Sequence, residues 1–175
     1  MRHGGHAMTF QKLFIVFCAV FFFGGAQAAT KIDDPEKFIR GIYANFVKDP
    51  NNYTEPSDVY SPRIAQLFAA DSADGTKGGG VGRLDWDAWV NGQATSIKDV
   101  TVTSRKDEFR DDREVVQVTM TSFDKPAKVY FYFERVLGRW QIDDIRWPGP
   151  DGWTLSLVLK YGSDFLPNPD KKYPY

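Results

Sequence analysis

From Ile97 onward the apolar residues stop recurring at helical spacing and begin to alternate: Val100 and Val102, then Val116, Val118 and Met120, then Val129, Phe131 and Phe133, then Trp140 and Ile142. Side chains two positions apart share one face of a strand, so each run reads as a strand with a buried face. Turn-like breaks separate the runs at 106–113, at Asp124-Lys125-Pro126 and at Gly138. Connections this short join antiparallel neighbours, and the pattern predicts a four-stranded antiparallel meander. The third run is aromatic on both faces, because Tyr130 and Tyr132 oppose Val129, Phe131 and Phe133; it is expected at the centre with both sides covered, the tyrosines beneath a helix and a loop. In the fourth run the apolar parity slips between Ile142 and Ile145, with Asp143-Asp144 in the gap. That slip predicts a bulge or a sharp bend.

Upstream, Asp33-Asp34-Pro35-Glu36 has the make-up of a helix start, with an Asp cap, Pro in the first turn and an acid at the positive end of the dipole. Phe38, Ile39, Ile42, Tyr43, Phe46 and Val47 then form one apolar face that ends before Asp49-Pro50. A second helix is expected from Ser61-Pro62, with Ile64, Leu67 and Phe68 inward. Residues 71–83 (DSADGTKGGGVGR) are rich in Gly and small polar groups and predict a mobile connection. Their glycines do not read as a phosphate cradle, since no Lys-Ser/Thr pair follows. After the turn at 148–152, WTLSLVLKYG is ambiguous between strand and helix, and the proline-bearing stretch 166–175 is expected to be an extended tail. Two helices followed by a curved meander make an α+β layout, the first helix packing into the concave side.

The N-terminus carries Arg2 and Lys12, an apolar run from Leu13 to Phe23, and the small-residue triplet Ala26-Gln27-Ala28. This is the make-up of an export signal cleaved near Ala28, leaving a single domain over 29–165 and a periplasmic or secreted destination. The run is too short to span a hydrocarbon core about 30 Å thick, so no membrane insertion is expected after cleavage. The only cysteine, Cys18, and both histidines, His3 and His6, lie in that signal. Catalysis through a Ser-His-Asp or Cys-His nucleophile and zinc sites built on His or Cys are thereby excluded from the mature chain. No cofactor is expected. Removing Arg2 and Lys12 from 22 basic residues, against 23 acidic ones, leaves the mature chain more acidic than the net −1 of the whole. Nucleic acid is not an expected partner.

Three pieces carry a resemblance to a known family: FIRGIYANF in the first helix, LDWDAWVNGQA before the meander, and the close formed by Gly138, Trp140, Ile142, Asp144 and Ile145 within VYFYFERVLGRWQIDDI. From about Pro35 to about Gly162 the chain resembles the exported bacterial proteins grouped as domain of unknown function family 3828. The resemblance implies the cone-shaped fold of nuclear transport factor two, also called cystatin-like, together with export and a helix for 153–161. That family brings no established activity, so no catalytic residue is implied.

Two acidic constellations stand out. Asp85 and Asp87 flank Trp86, with Trp89 close behind. They read either as calcium ligands or the polar rim of an aromatic pocket, or as a cap by Asp85 on a short helical turn with both tryptophans plugging the core. Asp143 and Asp144 read either as a bulge held by hydrogen bonds to backbone amides or, with Tyr132, as a general base desolvated inside the cone. Tyr130 and Tyr132 offer an amphipathic face, which by analogy with the fold also makes a homodimer an expectation. The leading reading is an exported, non-enzymatic module that binds a protein partner or a small apolar ligand through Asp85, Trp86, Asp87, Trp89, Tyr130 and Tyr132. The alternative is an isomerase- or hydratase-like enzyme using Asp143 or Asp144 with Tyr132.

Overall fold

The computed structural model describes residues 30–50, 53–107 and 110–162. The export signal expected over 1–28, the tail over 166–175 and both ends of the 29–165 domain lie outside the described residues. In chain order come α1 (Pro35–Lys48), a 3-10 turn (Ser57–Val59), α2 (Pro62–Gly78), β1 (Ile97–Lys106), β2 (Arg113–Ser122), β3 (Lys125–Val136), β4 (Arg139–Trp147), β5 (Trp153–Thr154) and α3 (Leu155–Tyr161). The fold is α+β, with helices packed on a curved antiparallel sheet ordered β1-β2-β3-β4-β5.

The sheet has five strands, not the expected four. The turn after Trp147 returns the chain so tightly that a Cβ on Gly152 would lie 2.5 Å from the Trp147 carbonyl oxygen, and Trp153 then pairs with Trp147. The ambiguous segment is therefore both things in succession, a two-residue strand and a closing helix. Two tight hairpins join β2 to β3 and β3 to β4. Each turns on two residues with positive φ, Phe123 and Asp124 in one and Leu137 and Gly138 in the other, the geometry that matches the twist of paired strands. Lys125 and Pro126, expected in a turn, already belong to β3.

Two irregularities bend the sheet. In β1 the register shifts between Lys98 and Thr101, where Asp99 has φ of 55°. In β4 Tyr132 pairs with Asp144 while Phe133 pairs with Ile142, leaving Asp143 as the extra residue. The parity slip in the sequence is thus a bulge, which turns Ile142 and Ile145 to the same buried face.

The start of α1 follows its sequence signals. The N–H of Lys37 donates to the Asp34 carboxylate at 3.0 Å, and Ile39, Ile42, Tyr43 and Phe46 are buried. On its other flank Glu36 and Arg40 form an ion pair at 2.6 Å and reach β1, which stands at the end of the sheet: Arg40 Nη2 donates to Val102 O at 2.9 Å and Ser104 N donates to Glu36 Oε2 at 3.1 Å.

The second helix overturns the expectation of a mobile connection over 71–83, because residues 71–78 continue α2 and only Gly79 stops it, with φ of 70°. The cause is tertiary. Asp71 is buried and accepts hydrogen bonds from Arg83 N at 2.7 Å and Leu84 N at 3.5 Å, tying the following segment back onto the helix. The Arg83 side chain continues the clasp to Asp74 at 2.8 Å and to the carbonyl oxygen of Leu159 in α3 at 3.2 Å. Packing anchors of this kind override low helix propensity.

One apolar cluster joins α1, the inner faces of β2, β3 and β4, and α3. Trp89 lies at its heart with no exposed surface, 4.9 Å from the ring of Phe131 and edge-on to Phe38 at 6.4 Å. Tyr43 packs edge-on to Phe131 at 6.1 Å and donates from its hydroxyl to the Trp89 carbonyl oxygen at 2.6 Å. These rings fill the inside of the cone, so open space lies at its rim and on the outer face of the sheet.

Candidate functional site

The acidic pair of β4 is built into joints. Asp144 Oδ1 accepts from the backbone N–H of Ile145 at 2.9 Å and of Ser156 at 3.1 Å, and its Oδ2 accepts from the Ser156 hydroxyl at 2.6 Å. It thereby caps α3 from a neighbouring strand. Asp143 Oδ1 accepts from the hydroxyl of Ser61, the cap of α2, at 2.7 Å and from Arg63 Nε at 3.0 Å. Arg63 also reaches the Asp143 carbonyl oxygen and stands 3.6 Å from Asp144 Oδ2. The bulge holds both helix starts. Neither carboxylate points into the cone as the general-base reading requires, and each is paired with a cation and with hydroxyl or amide donors.

The outer face of β3 is open, not covered by a helix and a loop. Tyr130 and Tyr132 are half-buried, and Tyr132 lines a shallow groove of about 480 Å³ with Arg63, Arg146, Asp143 and Asp144. The binding residues expected to act together are thus divided, with Tyr130 and Tyr132 on one side of the sheet and the 85–89 segment on the other side of the core.

Within that segment the two tryptophans part company. Asp87 and Gly92 exchange backbone hydrogen bonds at 3.2 and 3.4 Å, closing a tight turn in which Asn91 has φ of 55°. Asp87, not Asp85, is the capping acid, its Oδ1 accepting from Trp89 N at 2.7 Å. The turn drives Trp89 into the core, which removes it from any ligand, and leaves Trp86 at the rim. There a cleft of about 470 Å³ is lined by Phe46, Tyr53, Leu84, Asp85, Trp86, Asp87 and Gln93 among others. Trp86 also packs edge-on to Trp153 at 5.6 Å, and its Nε1 is buried with no acceptor among the described residues. Among the described residues no three His, Cys, Asp or Glu side chains group as possible ligands for a metal ion.

Glu55 is the residue that sequence reasoning missed. Burial raises the pKa of its carboxyl, and the charge of Asp87 raises it further, while the Asp87 carboxyl is itself raised by burial against the pull of the Trp89 and Val90 N–H groups. Both charges also bear on the hydroxyl of Tyr60, which accepts from Trp89 Nε1 at 2.9 Å and whose pKa burial pushes upward. The sequence did hold a signal, since the whole stretch 49–62 carries acids and no Lys or Arg.

These directions fix a pH dependence. An acid whose folded pKa is raised binds its proton in the native state before the unfolded chain does, so stability rises as pH falls through that window. At lower pH the opposite set takes over: Asp34 is held low by the Lys37 N–H, Glu36 by Arg40, Asp58 by the Thr30 N–H and Asp112 by Arg110. Their favourable ionisation is lost as they protonate. Urea midpoints measured from neutral to acid pH are expected to rise and then fall, passing through a maximum on the acid side of neutrality, and Asp87→Asn to flatten the rise on its neutral side. A steady fall in midpoint from neutral pH downward would contradict this assignment.

No family model and no curated protein matches the chain. Among solved structures it is similar to the phospholipid-binding protein from Ralstonia solanacearum, determined in complex with a phospholipid, with 17% identity over 73% of this chain and a TM-score of 0.30. The match takes in 59% of that protein, so the chain spans less than two thirds of its neighbour's length. At that level of likeness, function has to be argued from the residues of this chain.

Proposed function

We propose that the protein is an exported, non-enzymatic binding module whose ligand seats in the rim cleft between Tyr53, Trp86 and Asp87. We place it with the exported family 3828 that its sequence resembles, acting in the periplasm or outside the cell. The observation that carries the reading is the division of labour between the two tryptophans. Trp89 fills the core, whereas Trp86 stands in the wall of an open cleft with aromatic neighbours and polar groups beside it. A concave site with apolar walls and a few placed polar groups is the usual form of a small-ligand site. The apolar part of a ligand would lie on Tyr53 and Trp86, since the cone itself is packed. The enzyme alternative is the weaker reading: Tyr132, Asp143 and Asp144 share the outer groove, but both carboxylates already bind Ser61, Arg63 and Ser156.

Native mass spectrometry of the protein drawn gently from its own cell envelope tests this. Retention of a species of defined mass by the wild type, its loss from Trp86→Ala and its persistence in Tyr132→Ala are the expected results. Loss from Tyr132→Ala instead would move the site to the outer groove. Persistence in both variants would remove the cleft as the site.

A further inference from the structure

We infer that a second cavity, at the other end of α1 from the Trp86 cleft, binds an amino acid, with Glu114 receiving its ammonium and Lys106, Arg135 and the Trp140 indole N–H receiving its carboxylate. The cavity measures about 590 Å³, lies between the first turn of α1 and one end of the sheet, and shares no lining residue with the cleft. Glu114 carries the inference. On β2 it shares a face with Val116, Val118 and Met120, all buried, so a carboxylate stands where the pattern of the strand calls for an aliphatic side chain. It is 4% exposed, yet it makes no hydrogen bond or ion pair among the described residues. The other buried polar residues are treated differently: Ser61 bonds to Asp143, and Asp71 accepts from Arg83 N. A desolvated carboxylate without a partner is costly, and a donor brought by a ligand would relieve that cost. Its oxygens are not sealed off as Trp86 Nε1 is. Glu114 also edges the outer groove, but its side chain is on the inner side of the sheet with Val116, where the second cavity lies.

The charges left over in the lining select the ligand. The acids at the start of α1 have cations of their own, Asp33 with Lys31, Asp34 with Lys37 and Glu36 with Arg40. Lys106 stands opposite Glu114 in the register of β1 and β2 and still forms no ion pair with it. Arg135 has no ion pair among the described residues either, its guanidinium lying 4.7 Å from the centre of the Trp140 ring. Trp140 is 7% exposed, and its indole N–H donates to no acceptor among the described residues. A simple amine would be repelled by Lys106 and Arg135, and a simple acid by Glu114 and the exposed Asp111. A small molecule carrying both charges offsets each in turn.

The common amino acids, titrated singly into the protein at low salt and followed by the chemical shift of the Trp140 indole N–H, test this. At least one is expected to move that signal in a saturable way. For the tightest of them, the amine that lacks its carboxylate and the acid that lacks its ammonium are each expected to bind at least about tenfold more weakly. Glu114→Gln keeps the size and removes the charge, and should lose most of the affinity; Lys106→Met, at an exposed position, should weaken binding with the fold intact. Glu114→Val completes the apolar row of β2 and is expected to abolish binding while leaving the urea midpoint at or above that of the wild type, because a buried carboxylate without a partner does not stabilise the fold. A lower midpoint would show that the carboxylate has a partner within the chain and would overturn the site. No movement of the Trp140 signal with any amino acid, or binding indifferent to Glu114→Gln, would overturn it equally. An amine that binds as tightly as its parent amino acid would overturn the assignment of a zwitterion.

Discussion

Trp89→Ala is expected to cost about 3–5 kcal/mol of folding stability, the range for deleting a large aromatic side chain from a packed interior. Trp89 has no exposed surface and touches both Phe131 and Phe38, so α1 and β3 would lose their common filler at once. Neighbouring side chains can close only part of such a cavity. A second loss is polar, since the Tyr60 hydroxyl would no longer receive the indole N–H at 2.9 Å. Trp89→Phe separates the two effects, keeping much of the volume and removing the donor, with an expected cost of about 1–2 kcal/mol. Urea denaturation followed by circular dichroism gives both numbers. If Trp89→Ala unfolds within 1 kcal/mol of the wild type, the packed cone described above is wrong.

Asp144→Ala is expected to cost about 2–4 kcal/mol, more than its partial exposure would suggest. Its carboxylate serves Ile145 N, Ser156 N and Ser156 Oγ together. Truncation strands those donors where water reaches them poorly, and each such orphan costs about 1–3 kcal/mol. It also leaves Arg63 with Asp143 as its remaining carboxylate. Asp144→Asn retains one acceptor oxygen and is expected to cost about 1 kcal/mol. Hydrogen exchange localises the effect: amides of α3 should lose protection in the alanine variant well before those of β2 and β3. Uniform loss across the sheet would show that the carboxylate does not act as the cap of α3.

Much of this architecture was legible because it is local. The cap at Asp34, the alternation in β2 and β3 and the parity slip at Asp143 each depend on residues within one or two turns of chain, and all three stand in the structure. What could not be read depends on contacts distant in sequence. Residues 71–78 looked like linker because their helical state rests on Asp71 reaching Arg83 and Leu84. β5 has only two residues and exists because Trp147 is there to pair with. At the candidate site the segment around Trp86 was legible, but its sorting was not: a tight turn has no periodicity to say that Trp89 goes inward and Trp86 outward. Glu55 was passed over because the acidic stretch around it does not point to Asp87, whose charge bears on it from far along the chain.

The ion pair on α1 has a bearing on how this chain behaves in a crowd. A ten-residue strand at the end of a sheet presents free amides and carbonyls that can template another chain. In this protein the middle of that strand is already taken, since Glu36 holds Ser104 N and Arg40 holds Val102 O. An incoming strand would have to displace two charged side chains before it could zip onto β1. A single helical turn thus occupies backbone groups that an added strand would need.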